Sequence, residues 1–588
     1  MVEKYFPGSP ALYTPIFNSC PVREYAVKKT YDVIVVGSGA GAFVAAIRAA
    51  SQGASVIMLE KQATYGGTSA RSGGGLWVPN NRNIGSVGVT DSDEDAYQYM
   101  RKVIPEDQVS DDTIRNYIAT APKMLDFLSS ETLVNYVPVP GYADYYPSYP
   151  GWKEGGRTMD PMPIDGRPLG DLLYKMEETP KQSRAMGIFG MSIVEGSQIL
   201  ATTPGWQKIV AGIFARYLLD IGGRLRGMRD RRLCQGNALI GGLLMAARKH
   251  GVELVLETGV NGLIKEGDRV VGVRAHSAKH GDIELRAERG VVAAAGGFEN
   301  NPQMRGDYLP GPTDTDWSAA IPGNTGDLIR AGQEIGAATG LMNEAWWAPV
   351  VKNGDTSVVL FSEKSKPGLI VVDKQGRRFM NEAITYNSYG ECFYNARKAG
   401  YDCVPAYMIF DGNYRKKYFF GGIVQSSMSP DFMNRSAFGP DGMLIKAGSL
   451  DELADKLGVD KAGLRDTTSK MAEYARTGVD EEFGRGSDAH DRMYGDVEVT
   501  PNPCLGPLDE APFYGAPIYP GDIGTKGGLV IDHDGRVQDE QGNAIEGLYA
   551  AGNCTASIMG DKYPGAGCTL GPAMSIAFRA ADHMMAEA

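Results

Sequence analysis

The residues of this 588-residue chain best suited to chemistry by type and spacing are glycines. In GSGAGA, Gly37 can make a tight turn and Gly39 can let a pyrophosphate approach the main chain. Ala42 falls within the tolerance of the third position of G-x-G-x-x-G/A, and Gly41 adds slack beside it. The elements that must hold this turn are legible on either side. Tyr31–Val36 (YDVIVV) is a short, β-branched, apolar run that reads as a buried parallel strand. The Ala-rich FVAAIRAASQG that follows reads as a helix, whose first N–H groups and positive dipole end would face the phosphates. A second strand, ASVIMLE, ends on Glu60, where an acid can receive ribose hydroxyls. Strand, glycines, helix, strand and acid together leave a nucleotide-free βαβ unit as a remote alternative.

Composition narrows the class. Hydrophobic residues at 43% and charged residues at 22% describe an ordinary soluble globular protein, with length for two or more domains. A net charge of -12 argues against nucleic acid as a partner, because a phosphate-backbone binder carries a basic face. Seven cysteines, scattered and never spaced as CxxC, indicate neither a disulfide framework nor a zinc site, and a reducing cytoplasm is the expected setting. Residues 1–30 contain no unbroken apolar core of a secretory signal, and no stretch is apolar enough to span a bilayer. The 76 glycines gather in runs, at Gly37–Gly41, Gly66–Gly75, Gly296–Gly297, Gly527–Gly528 and Gly565–Gly571, as close backbone approach to a large ligand would require.

Gly66–Gly75 (GGTSARSGGG) follows directly on Glu60-Lys61, where an NAD enzyme would continue its sheet. It resembles the flavin-contacting loop of the fumarate reductase and succinate dehydrogenase flavoprotein superfamily. RGVVAAAGGFENN (Arg289–Asn301) and GLYAAGN (Gly547–Asn553) resemble two further segments of that superfamily. The resemblance implies an α/β fold. A discontinuous Rossmann-like FAD-binding domain would occupy residues 1–303 and 511–588, with an inserted α+β catalytic domain at 304–510. It implies FAD held by Gly37, Gly39, Gly41, Ala42, Glu60, Lys61, Gly66, Gly67, Thr68, Ser69, Gly73 and Gly74, with Val260, Ala295, Gly296, Gly552, Asn553, Thr569 and Leu570. Covalent members carry a His in the first loop. Thr68 and Ser69 stand in that stretch here, so the FAD is expected to be non-covalent.

Within the superfamily, the chain is similar to the 3-ketosteroid Δ1-dehydrogenases from about residue 31 to 582. The likeness is carried in order by GGTSARSGGGLWVP, GYADYYPSYPG, GRRFMNEAITYNSYG, DIGTKGGLVID and GLYAAGNCTASIMGDKYPGAGCTLGPAM. Desaturating C1–C2 beside a C3 ketone removes a proton from C2 and a hydride from C1, while the ketone oxygen must be stabilised as enolate charge grows. The family's ketone-polarising pair carries over to the Tyr563 hydroxyl and the Gly567 N–H. Its base carries over to Tyr386, with Tyr389 the neighbour open to confusion. The Tyr that assists the base carries over to Tyr145, ahead of Tyr146. The implied partners are a 3-ketosteroid and an electron acceptor that the sequence does not identify.

Three alternatives stay open at this point: a Δ4-(5α)-dehydrogenase of similar fold, a fumarate-reductase-like enzyme, and a non-catalytic membrane-associated electron-relay flavoprotein. The second is disfavoured, because clamping two carboxylates takes cations. There are only six His, and Arg377 and Arg378 read as surface or turn charges. Residues 172–232 read as an insert. Trp206, Ile209, Val210, Ile213, Phe214, Tyr217, Leu218 and Ile221 recur at helical spacing. Lys181, Arg184, Lys208, Arg216, Arg224, Arg226, Arg229, Arg231 and Arg232 outnumber Glu195, Asp220 and Asp230. Such a segment suits peripheral contact of residues 181–232 with an anionic membrane, but a helix packed on its own protein with a solvated basic end is the favoured reading, because amphipathic helices usually face a core.

Overall fold

The computed structural model describes residues 28–184, 187–200, 205–439 and 441–587. The expectation of no secretory signal therefore rests almost wholly on residues outside those described, as does Cys20. The fold is mixed α/β, organised by two large sheets. At the centre of the first, Thr30–Val36 pairs in parallel with Val56–Leu59 on one side and Gly281–Ala293 on the other. Glu253–Val255 and Ala544–Ala550 extend these two flanks, also in parallel. Val33, Ile34 and Val35 are buried, as a strand covered on both faces must be. Arg536–Gln538 and the hairpin Thr258–Glu266/Arg269–Ser277 complete eight strands through antiparallel pairing. The helix Ala40–Ser51 packs against Gln235–Lys249 and Leu570–Ala586. Its small residues allow that approach: a Cβ on Gly41 would lie 3.0 Å from the Ala573 carbonyl oxygen.

The second sheet is six-stranded and antiparallel, formed by Ala345–Asn353, Thr356–Val359, Leu369–Val372, Ala406–Phe410, Ile445–Ala447 and Phe513–Thr525. The thirteen-residue Phe513–Thr525 pairs with three of the others, so it belongs here and not with the first sheet, where a boundary at 511 would put it. The chain returns to the first sheet only after Thr525. A small sheet of Leu76–Trp77, Tyr136–Pro138 and Thr158–Pro161 ties the Gly66–Gly75 loop to the 141–151 loop.

The insert folds as helices Ile193–Leu200 and Trp206–Leu219 with a short turn Ile221–Arg224. Ile213 and Tyr217 are buried with Phe189 in a small cluster of their own, whereas Leu218 and Ile221, expected on the same stripe, are exposed. The helix ends at Leu219, and the change of direction at Asp220 takes Ile221 off the stripe, while Leu218, next to Tyr217 on the helix, points to solvent. Much of the basic excess is spent internally: Arg184 and Arg229 pair with Glu178, Arg226 with Asp171, Arg231 with Asp220 and Arg232 with Glu195. Among the described residues, no helix is long and apolar enough to cross a membrane.

Candidate active site

The strand-to-helix turn after Val36 has room for main chain only. Gly37 has φ +108°, and a Cβ there would sit 2.3 Å from the Ala294 carbonyl oxygen. Gly39 is different. Its Cβ would meet nothing closer than the Ser69 hydroxyl at 3.4 Å, and the residue opens onto a cavity of about 570 Å³. Of the residues expected to hold a flavin dinucleotide, all but Gly66 line this cavity: Gly37, Gly39, Gly41, Ala42, Glu60, Lys61, Gly67, Thr68, Ser69, Gly73, Gly74, Val260, Ala295, Gly296, Gly552, Asn553, Thr569 and Leu570. Gly66 acts from behind. At φ +105° it donates its N–H to Ser38 Oγ (2.9 Å), and Ser38 donates to Glu60 Oε2 (2.5 Å). Gln62 N–H binds the other Glu60 oxygen at 2.8 Å. Burial raises the Glu60 carboxyl above its ordinary range, these hydrogen bonds oppose the rise, and each oxygen keeps a lone pair for a hydroxyl. Lys61 is fixed by Thr325 and Asp327.

Further along the cavity, three phenol rings from three distant segments converge. Tyr386 lies in the turn before the helix Ser388–Lys398, Tyr563 in the loop before Leu570–Ala586, and Tyr145 in the 141–151 loop. Ring centroids are 5.4 Å apart for Tyr386–Tyr563, 5.7 Å for Tyr145–Tyr563 and 5.8 Å for Tyr145–Tyr386. Tyr386, Tyr563 and Gly567 line the cavity, and Tyr145 stands behind the first two. Tyr145 N–H donates to the Pro564 carbonyl at 2.9 Å, which joins its loop to the Tyr563–Gly567 turn. Gly567 has φ +101°, and a Cβ there would lie 2.3 Å from the Leu76 carbonyl carbon. The two neighbours open to confusion are placed elsewhere. Tyr389 is fully buried and donates to the Glu382 carbonyl at 2.7 Å, while Tyr146 stacks on Tyr149.

Burial raises all three phenols above their ordinary value. Tyr563 is pushed up only to about 12, because hydrogen bonds from Thr569 and Tyr386 and a backbone N–H of Gly567 favour its ionised form. Tyr386 stands well above 10, and its bond with Tyr145 works against that rise.

Two buried charge networks hold these segments. Under the 141–151 loop, Asp144 accepts from Trp77 Nε1 (2.7 Å) and Arg157 Nη1 (2.7 Å), and Arg157 also pairs with Asp91. Upstream of Tyr386, Arg378 binds Glu382 and Asp480 with both faces of its guanidinium. Arg378 is thus no surface charge: it is 5% exposed, and only Arg377 sits as a partly exposed turn residue. Burial alone would raise Glu382; Arg378 and Arg485 hold it low. Sequence reasoning missed Tyr142, Tyr494, Phe361 and Asn324, which also line the cavity. Tyr494 donates to Tyr142, Phe361 packs on Tyr386 at 4.9 Å, and Asn324 donates to Thr68 at 3.1 Å. Only Tyr142 carried a signal, three residues before Tyr145 in the same loop.

Residues 32–570 match the FAD binding domain family. A 3-oxosteroid 1-dehydrogenase of Mycolicibacterium smegmatis is 39% identical, across 96% of this chain and 99% of the relative. A 4-oxocyclohexanecarboxylate 2-dehydrogenase of Sinomonas cyclohexanicum is 35% identical, across 96% and 95%. The crystal structure of the 3-ketosteroid Δ1-dehydrogenase of Sterolibacterium denitrificans with 1,4-androstadiene-3,17-dione superposes with a TM-score of 0.91. Its identity is 43%, and the match covers 95% of this chain and all of that one. The chain belongs to the FAD binding domain flavoproteins and, among them, to the family of the 3-oxosteroid 1-dehydrogenases. Its cofactor is FAD.

Proposed function

We propose that the protein is a 3-oxosteroid 1-dehydrogenase that desaturates C1–C2 of 3-ketosteroids. The observation that carries this reading is the convergence of Tyr386, Tyr563 and Tyr145 at one end of the cavity whose other end is the Gly37–Gly39 turn. FAD, when bound, supplies the hydride acceptor. Tyr563 Oη and Gly567 N–H donate to the C3 oxygen and stabilise the charge that grows there. Tyr386 removes the C2 proton, assisted by Tyr145, which favours its ionised form. The lining residues present no imidazole or thiol, which supports non-covalent FAD. The lining cations are Lys61, paired with Asp327, and Arg71, paired with Glu177, so a dicarboxylate clamp is missing from the described walls.

The domain reading accompanies this function. A discontinuous Rossmann-like FAD-binding domain is built from strands at Thr30–Val36, Val56–Leu59, Glu253–Val255, Gly281–Ala293 and Ala544–Ala550. An inserted catalytic domain runs from about 304 to 525 and supplies Tyr386. Peripheral membrane contact through residues 181–232 is supported more by apolar exposure than by charge: Leu218, Leu219, Ile221, Leu225 and Met228 are all exposed. Gln182, Ser183 and Ile193 of the same insert line the cavity, which joins such a surface to the substrate's path.

Anaerobic addition of androst-4-ene-3,17-dione to purified protein should bleach the flavin band, and acid precipitation should release intact FAD. Failure to bleach with this steroid, alongside bleaching by a 5α-3-ketosteroid or by 4-oxocyclohexanecarboxylate, would move the assignment to one of those reactions. Failure with all of them would return the chain to an electron-relay role.

A further inference from the structure

Lys364 and Lys526 are almost completely buried. Lys364 Nζ donates to the carbonyls of Ala383 (3.2 Å) and Ile384, and Lys526 Nζ donates to the carbonyls of Asp561 (2.7 Å) and Lys562 (2.9 Å). Each lysine thus grips two consecutive peptide oxygens, and each pair stands just ahead of an active-site phenol: Ile384 two residues before Tyr386, Lys562 directly before Tyr563. A buried amine carries a desolvation cost of several kcal/mol unless its hydrogen bonds are made. Burial accordingly pushes both groups down to about 7, against the pull of Asp491 on Lys364 and of Glu344 and Asp561 on Lys526. Losing one proton would not release the grip, because a neutral amine keeps two N–H bonds, one for each carbonyl. Lys526 also lies 4.7 Å over the Trp346 ring, which packs on Tyr563 at 5.2 Å and donates to Asn553 at 3.1 Å.

We propose that these lysines are positioning residues for the two halves of the reaction. Lys364 fixes the peptide that aims Tyr386 at C2, and Lys526 fixes the peptide that aims Tyr563 at the C3 ketone. The inference rests on the tyrosine assignment above and adds to it which side chains set the aim. No hydrogen bond from either lysine to a phenol is needed. The backbone between carbonyl and Tyr is one or two residues long, so a shift of the gripped peptide moves the hydroxyl almost as far.

The test uses full-length, FAD-loaded Lys364→Met and Lys526→Met, read by anaerobic rapid-mixing flavin reduction with androst-4-ene-3,17-dione deuterated at C1 or at C2. Lys364→Met should slow reduction by about 10- to 100-fold, the order that a displacement of ~1 Å costs. It should raise the isotope effect from C2 alone and leave the steroid Kd within about twofold. Lys526→Met should slow reduction similarly and weaken steroid binding by about fivefold, the share of one hydrogen bond to the ketone. Wild-type rates in both variants would overturn the proposal, as would slow rates with unchanged isotope effects and Kd. If a Met variant fails to retain FAD, Lys364→Gln or Lys526→Gln keeps an N–H donor at the site. Loss of FAD in both replacements assigns that lysine to stability and overturns its aiming role. Tyr386→Phe and Tyr563→Phe separate the two layers. If the phenol variants retain activity, the tyrosine assignment itself fails; if they are crippled while the lysine variants behave as wild type, only this inference fails.

Discussion

Tyr145→Phe tests the residue proposed to assist the base without lining the cavity itself. The ring is 3% exposed, stacked on Tyr563 and edge-on to Tyr386, so Phe preserves the packing and removes one hydroxyl. That hydroxyl favours the ionised form of Tyr386, against the burial that pushes Tyr386 up. A hydrogen bond to a charged acceptor contributes about 1.5–3 kcal/mol. At about 1.36 kcal/mol per factor of ten, its loss raises the Tyr386 pKa and makes the phenolate roughly 10- to 100-fold scarcer. The base acts deprotonated, so a higher pKa moves the rising limb of the profile to higher pH. At pH 7 the rate of flavin reduction should fall by about 10- to 100-fold, with much of it regained one to two units higher. The assay is single-turnover flavin reduction by androst-4-ene-3,17-dione across the pH range, at saturating steroid. A residual rate that does not rise with pH would refute the reasoning, because it would make Tyr145 a packing residue. An unchanged profile would do the same.

Tyr386→Phe should reduce kcat by about 10²–10⁴ with little change in KM, and Tyr563→Phe by about 10²–10³, since Gly567 N–H remains; steady-state kinetics distinguish them, and a near-normal kcat for Tyr386→Phe would remove it as the base. Asp144→Asn leaves Trp77 an acceptor but takes the charge from the buried Arg157, which retains Asp91. Stability should drop by about 3 kcal/mol, toward the low end for a broken buried pair, and show as a lower denaturation midpoint. Replacing Leu219, Ile221 and Leu225 with Asp should abolish binding to vesicles of phosphatidylcholine and phosphatidylglycerol while turnover in solution persists; unchanged vesicle binding would make the exposed tip an ordinary surface.

What the sequence disclosed follows the range of each interaction. The Gly37 turn, its flanking strand and helix, and Glu60 lie within about thirty residues, and every constraint on them is local: a positive φ, a close carbonyl, a helix start. They could be read directly. The tyrosines could not be read from the residues themselves, because nothing local sets Tyr386 apart from Tyr389, three positions away. Only the packing, with one ring facing the cavity and the other hydrogen-bonded to Glu382, tells them apart. Arg378 was misjudged for the same reason. Its partner Asp480 is distant in sequence, and an arginine pair beside a glycine looks like a turn until that partner is in place. That Phe513–Thr525 pairs within the second sheet was not legible either, because a strand's partners are set by pairing, which composition does not encode.

The three roles proposed here fall on one residue type, and the neighbours of each phenol bear on the task assigned to it. All are desolvated, and desolvation alone would make each a weak acid and an unused base. The differences come from neighbours. Tyr563 has Thr569 and a Gly567 N–H to favour its ionised form, which suits its hydroxyl to donate to an oxygen gaining charge. Tyr386 is raised first by burial and then by Tyr563 and Tyr142, while the bond with Tyr145 favours its ionised form, as the proposed base requires. Tyr145 is not among the lining residues and packs on both Tyr386 and Tyr563, so the help proposed for it passes through those rings. Tyr563 and the Gly567 N–H share one turn and line the cavity together, which supports the proposed direction of the substrate: ketone toward Tyr563 and Gly567, C2 toward Tyr386.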